Sequence, residues 1–220
     1  MSAEVRHPIF ARMLAAAAER AEGTEEDDIR RELLAGLAGR VIELGSGTGP
    51  NFRFYPDEIT ELVAVEPEDY LRRKAEEAAR RAGRPIRVVD ALAEELPFED
   101  GSFDAAVAAQ VLCSVPSQGP ALAELWRVVR PGGELHFYEH VISPEPRYAR
   151  FQRLAGRITP HVAGGCHPDR DTARAIEAAG FAIERCRRFT FRMSLFDLPA
   201  APRILGVARR PRDPGSAAGP

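Results

Sequence analysis

The stretch that most limits what this chain can become is Arg40 to Asn51, Arg-Val-Ile-Glu-Leu-Gly-Ser-Gly-Thr-Gly-Pro-Asn, where an apolar run breaks into three glycines at alternate positions. Val41, Ile42 and Leu44 suit a strand buried on both faces, as a parallel sheet requires. Gly45, Gly47 and Gly49 then let the backbone turn sharply and approach a ligand with no Cβ in between. Glu43 is costly inside such a strand unless it is paired, and a cationic group of the ligand or the amides of the loop are the partners to look for. The spacing separates two kinds of ligand. A dinucleotide fingerprint needs Gly-x-Gly-x-x-Gly, with pyrophosphate on the following helix N-terminus. Here the third glycine comes one residue early and Pro50 follows it. Taken alone, Gly-x-Gly-x-Gly also occurs in ordinary turns.

Two further acids fall at strand ends. Leu62 to Val65 reads as a second strand closed by Glu66-Pro67. Pro67 suits a first helical position and holds Glu66 extended, so that its carboxylate projects where open α/β sheets bind ligands. Glu66 also lies about twenty residues beyond the loop, the offset at which an acid takes ribose hydroxyls; otherwise it is a helix-start acid. Ile86 to Val89 is a third strand ending at Asp90-Ala91, and Asp90 is placed either to accept from an adenine amino group or to cap a loop. A fourth strand runs from Ser102 to Gln110, and a fifth from Glu134 to Val141, ending in Tyr138-Glu139-His140.

Between these strands lie helices at Asp69 to Ala82, stopped by Gly83, and at Ser117 to Val129, ended by Pro131 and the Gly132-Gly133 turn. Asn51 to Tyr55 begins a short helix. Arg147 to Ile158 reads as a helix whose Arg147, Arg150, Arg153 and Arg157 form a solvated face. Thr172 to Ala179 is a helix closed by Gly180, and strands follow at Phe181 to Phe191 and Ile204 to Arg209. The alternation of strand and helix predicts an α/β, Rossmann-like, seven-stranded and mostly parallel sheet with helices on both faces. Upstream, Pro8 to Ala21 and Thr24 to Leu37 read as N-terminal lid helices. Thr24 is the expected N-cap, and Glu25, Glu26, Asp27 and Asp28 the expected solvated first turn. The resulting division is a helical lid over 1–39, one domain over 40–210 and a disordered tail over 211–220.

At 220 residues, 45% hydrophobic and 29% charged, the chain suits one soluble domain. A net charge of −3 gives no overall attraction to nucleic acid and favours a small-molecule partner. Cys113, Cys166 and Cys186 are far apart and lack Cys-x-x-Cys spacing, which argues against disulfides and a metal site and for the cytoplasm. Met13 to Ala18, the one early apolar run, is too short for a signal peptide or a membrane span.

Glu43-Leu-Gly-Ser-Gly-Thr-Gly, Glu66, Asp90-Ala, Phe103-Asp-Ala-Ala-Val and Arg127-Val-Val-Arg-Pro-Gly-Gly stand in the order of the class I S-adenosylmethionine-dependent methyltransferases, which the chain resembles from about Arg40 to Arg209. Asn51-Phe-Arg-Phe-Tyr-Pro, Val111-Leu-Cys-Ser-Val, Tyr138-Glu-His-Val and Gly164-Gly-Cys-His-Pro-Asp-Arg-Asp-Thr resemble the branch that holds the animal alkyl-thiol S-methyltransferases. The resemblance implies a last strand running antiparallel and S-adenosylmethionine as cofactor, released as S-adenosylhomocysteine. It implies cofactor contacts at Glu43, Gly45, Gly47, Gly49, Asn51, Glu66, Pro67, Asp90, Ala91 and Gln110, and methyl transfer to a thiol. The hydrophobic N-terminal anchor of the animal relatives is not matched.

Methyl transfer from a sulfonium is an in-line displacement, for which alignment of the nucleophile is the main requirement. A thiol is only a few per cent ionised at neutral pH, so a base or a positive environment helps. His140, beside Glu139 at a strand's carboxyl end, is the first candidate base; His161, His167 and Asp171 are alternatives on the segment expected to border the acceptor. Cys113 reads as a small buried apolar residue. Other acceptors for the same fold are an oxygen or nitrogen of a small metabolite or lipid head group. An NAD(H) oxidoreductase and a non-catalytic cofactor-sensing or partner-binding module are the competing classes.

Overall fold

The computed structural model describes residues 11, 12, 15, 16, 23, 25–192 and 195–212. Seven strands form one sheet: β1 (Gly39–Leu44), β2 (Ile59–Val65), β3 (Ile86–Val89), β4 (Phe103–Ala109), β5 (Val129–His140), β6 (Ala182–Thr190) and β7 (Pro202–Arg209). Their order is β3-β2-β1-β4-β5-β7-β6. β1 to β5 pair in parallel, and β7 lies antiparallel between β5 and β6. The order reverses between β1 and β4, which opens a crevice at the carboxyl ends of those strands.

The period-2 alternation of each central strand separates two cores. Ile42, Val63, Ala106 and Phe137 face one side with helices α3 (Gln118–Val128) and α6 (Thr172–Ala178), which contribute Leu122, Leu125 and Ile176. Val41, Ala64, Val107 and Tyr138 face the other, with α1 (Glu25–Leu34) and α2 (Asp69–Ala82) contributing Ile29, Leu33, Leu34 and Ala75. Both faces of a parallel sheet are thus covered, as its apolar runs demand. Two short helices, α4 (Pro146–Ala155) and α5 (Thr159–Val162), cross the carboxyl edge after β5.

Several boundaries depart from the sequence reading. α2 starts at Asp69 with Glu68 as N-cap, accepting from the Leu71 amide, so Pro67 precedes the cap and is not the first helical residue. α3 gives way to β5 at Val129; Phe103 pairs with Val129 and Ala105 with Glu134, so Pro131, Gly132 and Gly133 lie in a bulge inside the strand. The helix expected over Arg147 to Ile158 ends at Ala155 with Gly156 as its C-cap, and Pro160 stands in the first turn of the separate α5, where its missing amide costs no helical hydrogen bond. Residues Leu195–Ala200 form a 3-10 helix that no apolar period announces.

The acidic start of α1 is the main correction upstream of β1. Glu26 and Asp27 are buried, not solvated. Asp27 accepts from Arg53 at 2.9 Å and from the Gly23 amide at 2.9 Å, and Glu26 from Arg30 at 3.1 Å. Most of the first lid helix, and the N-cap expected at Thr24, lie outside the described residues. Among those residues no helix is long and apolar enough to cross a membrane.

Candidate active site

All three loop glycines have positive φ, 61° at Gly45, 57° at Gly47 and 79° at Gly49, but their missing side chains serve different ends. A Cβ on Gly45 would lie 2.4 Å from Val111 Cγ2, and one on Gly49 would lie 2.5 Å from the Phe52 ring; these two glycines admit neighbouring side chains. A Cβ on Gly47 meets nothing within 4 Å, so this glycine alone faces open space, where a ligand's atoms can lie against backbone. Next to it, Ser46 Oγ is buried without a hydrogen-bond partner among the described residues. A buried, unsatisfied hydroxyl beside an unfilled cradle is what a polar ligand would complete.

Glu43, at the end of β1, accepts from Asn51 Nδ2 at 2.6 Å and Tyr55 OH at 3.0 Å; the loop amides expected as partners are not its donors. Asn51 Oδ1 in turn accepts from Arg30 Nη1 at 2.6 Å. Arg30 also bonds Glu26, which lies 3.9 Å from Arg203, and Arg203 bonds the Tyr138 hydroxyl. Burial raises the Glu43 pKa to about 7 against the donors that hold its charged form. Arg30, Tyr55 and Arg203 were not foreseen as part of this network. Tyr55 lies in the Asn51-Phe-Arg-Phe-Tyr-Pro motif, but no local motif marks Arg30 and Arg203, because the network joins α1, the loop after β1 and β7.

Glu66 is 6% exposed and accepts from the Gly47 amide at 2.8 Å and the Glu68 amide at 3.0 Å. Its carboxylate therefore ties β2 to the glycine loop, and burial again raises its pKa to about 7. The backbone carbonyls of Glu66 and Pro67 accept from Arg72, which also reaches exposed Asp90 at 3.3 Å. Ala91 is half-buried, and the chain beyond it is pinned by a bridge between Leu92 and Glu95.

Across the crevice, Gln110 follows β4 directly with φ of 57°, a left-handed conformation that few non-glycine residues adopt. The following turn is wrapped around Glu139. This fully buried carboxylate accepts from the amides of Val111 at 2.9 Å, Leu112 at 2.8 Å and Cys113 at 3.0 Å, a concave anion nest. Burial, first of all, and the neighbouring Cys113 push its pKa well above the usual carboxylate range in spite of those amides. Both ring nitrogens of His140 have partners: Gln110 Nε2 lies 3.3 Å from Nε2, while Cys113 Sγ and Cys166 Sγ lie 3.4 and 3.5 Å from Nδ1. Burial lowers the His140 pKa, but Cys113 and Glu139 more than offset it, so the net shift is upward.

The segment after α5 closes over this turn. Gly165 has no room for a Cβ, which would meet the Ser114 carbonyl oxygen at 2.6 Å. The His167 amide donates to Cys113 O at 2.8 Å, and Arg170 donates to Leu112 O at 2.9 Å and Val115 O at 2.7 Å. His167 is half-buried and its pKa is lowered by burial and by Arg170. Asp171 caps α6 and His161 is exposed on α5, so neither joins the His140 group. Cys113 is fully buried, as its sequence reading had it, and is grouped with Cys166 and His140; ligand atoms of all three lie within 4.8 Å of one another. The three lie far apart in sequence, and only the fold brings them together.

A family model described as a methyltransferase domain matches residues 42–137. Thiol S-methyltransferase TMT1B of Mus musculus is 35% identical over 213 residues, covering 91% of this chain and 84% of the relative. Phosphatidylethanolamine N-methyltransferase of Cereibacter sphaeroides is 30% identical, covering 80% of this chain and 75% of its own. Among solved structures, geranyl diphosphate methyltransferase in complex with S-adenosylmethionine superposes with a TM-score of 0.69 at 16% identity, over 95% of this chain and 93% of that one. The cradle at Gly47, the unsatisfied Ser46 hydroxyl and the strand-end carboxylates fit that cofactor, and the chain belongs to the class I S-adenosylmethionine-dependent methyltransferases and is similar in sequence to thiol S-methyltransferases among them.

Proposed function

We propose that this enzyme transfers the methyl group of S-adenosylmethionine to the sulfur of a small thiol. The observation that carries the reading is the 35% identity with TMT1B over 213 residues, which cover 91% of this chain. The bound cofactor supplies an electrophilic methyl group on a sulfonium. Gly47 and Ser46 receive it against the loop, Gly45 and Gly49 keep the loop in shape, and Glu43 with Asn51 braces the strand end. Glu66 takes the ribose hydroxyls, with Pro67 fixing its backbone. Asp90, Ala91 and Gln110 line the adenine and methyl ends.

The acceptor enters on the side of Gln110 and His140. A thiol there must lose its proton, and His140, with Glu139 holding the turn around it and His167 on the closing segment, is the centre at which this occurs. A thiolate attacking a sulfonium neutralises charge, so a water-poor pocket suits the reaction. The acceptor is a small molecule, and the reaction takes place in the cytoplasm without nucleic acid.

N-methylation of a lipid head group is the second reading, favoured by the match to the bacterial phosphatidylethanolamine enzyme. Purified protein with labelled S-adenosylmethionine and a panel of alkyl thiols, phenols, amines and phosphatidylethanolamine separates the two. Label in the thiols is the expected result; label in amines or lipid alone overturns it. Tight cofactor binding with no transfer to any acceptor points to a sensor, and binding of NAD(H) in place of S-adenosylmethionine to an oxidoreductase.

A further inference from the structure

We infer that Cys113, Cys166 and His140 form a binding site for a zinc-like, thiophilic divalent ion beside the methyl-transfer centre, with a fourth position left for the acceptor's sulfur. This rests on the thiol reading above and replaces a lone imidazole base by an ion. Zinc binds cysteine sulfur at about 2.3 Å and histidine nitrogen at about 2.0–2.1 Å, so a tetrahedral site has sulfur-to-nitrogen edges of about 3.5 Å. The two edges here are 3.4 and 3.5 Å. Both sulfurs approach the same nitrogen, Nδ1, although an imidazole nitrogen has a single in-plane position for a proton or a lone pair. One thiol satisfies that position; two at equal distance fit one central atom that all three share.

The supports are built to hold ligands still. Cys113 is fixed through its amide by Glu139 and through its carbonyl by the His167 amide, and Cys166 sits on the segment that Gly165 presses against Ser114. On the far side of the ring, His140 Nε2 faces the Gln110 side-chain amide at 3.3 Å. Turned about its last bond, that amide presents oxygen to an Nε2–H, the outer-sphere contact that fixes the tautomer leaving Nδ1 free to ligate. Two thiolates balance a divalent charge, and a Cys₂His set with one position open is a catalytic rather than a structural pattern. On coordination the acceptor R–SH releases its proton to solvent. A sulfur lone pair then forms the new bond to the methyl carbon as that carbon's bond to the sulfonium breaks, giving R–S–CH₃ and S-adenosylhomocysteine. The neutral thioether is a weak ligand and leaves.

Cobalt(II), titrated into the full-length metal-free protein under argon, tests the site through absorption rather than activity. One equivalent is expected to give sulfur-to-cobalt charge transfer and tetrahedral d–d bands, and zinc to displace it. Cys113→Ser, Cys166→Ser and His140→Ala each are expected to weaken cobalt binding tenfold or more, and Cys186→Ser to leave it unchanged. Because the first two positions are buried, a thiol count on wild type runs in parallel: zinc is expected to shield two cysteines from alkylation. No cobalt spectrum and no shielding in folded wild type overturns the site, as does binding that survives Cys166→Ser. A Cys113–Cys166 disulfide in protein purified under reductant overturns it as well. Cobalt binding with transfer only to amines leaves the site standing and removes the thiol assignment. Thiol methylation at full rate without metal removes the ion and leaves the thiol assignment intact.

Discussion

The two sides of the crevice are assembled in different ways. On the side proposed for the cofactor, Glu43, the glycine loop, Asn51 and Glu66 come from one strand-helix-strand unit, and their hydrogen bonds connect positions close in sequence. On the side proposed for the acceptor, Gln110 and Cys113 follow β4, Glu139 and His140 end β5, and Cys166 and Arg170 lie beyond two further helices. The first side is a motif, readable wherever it occurs; the second is a meeting of three strangers that only the sheet order brings together. The carboxylates differ accordingly. Glu66 takes one amide on each oxygen, from Gly47 and from Glu68, and lies beside the open cradle, whereas Glu139 takes three successive amides of one turn.

The sharpest way to break the comparison is His140→Ala. Turnover on an alkyl thiol is expected to fall about 10² to 10⁴-fold near neutral pH and to recover as rising pH ionises the thiol unaided. Cofactor affinity, measured by calorimetry, is expected to stay at the wild-type value. A variant that keeps full turnover would remove His140 from the chemistry.

Glu139→Ala separates a holding carboxylate from a binding one. It leaves three buried amides without their acceptor, at about 1–3 kcal/mol each, so denaturant melts are expected to show a loss of several kcal/mol. Wild-type stability in that variant would contradict the structural role of the nest.

Glu43 and Glu66 give the cofactor side a pH signature. Both pKa values rise from 4.5 unfolded to about 7 folded, so the folded protein holds these protons more tightly. The stability they contribute is complete below pH 4.5 and is lost as pH rises through 7, by up to about 3 kcal/mol for each group. Glu43→Gln is expected to flatten that part of the stability profile measured without cofactor, and an unchanged slope would count against the burial argument.

The smallest effect sharpens the ribose assignment. Glu66→Ala is expected to weaken S-adenosylmethionine binding by about 1–3 kcal/mol by leaving hydroxyls unpaired. Unchanged affinity in calorimetry would take Glu66 out of the cofactor site.

What could be read from the sequence follows the same division. The seven strands, their mostly parallel order and the covering of both faces were legible from apolar runs and strand-end acids, because each signal is local. The bulge at Pro131–Gly133 and the helix end at Ala155 were displaced from expectation, because strand pairing and tertiary cover decide where an element yields. Glu26 and Asp27 looked like solvated helix-start acids until Arg30 and Arg53 were found against them. Cys113, His140 and Cys166 carry no shared spacing, and nothing short of the strand order could have joined them.

The insertion of β7 between β5 and β6 sets a timetable for the ribosome. The last strand to be synthesised fills the middle of the outer sheet, so β5, with Leu135 and Phe137, waits with an open edge until residues beyond Pro202 emerge. Arg203 arrives on that same strand to meet Tyr138 and Glu26, the far end of the chain of side chains that leads through Arg30 and Asn51 to Glu43. A nascent chain can therefore shape its glycine loop early but completes the charge network behind it only when the final strand docks, and the wait with an unpaired β5 edge is its period of greatest exposure to aggregation.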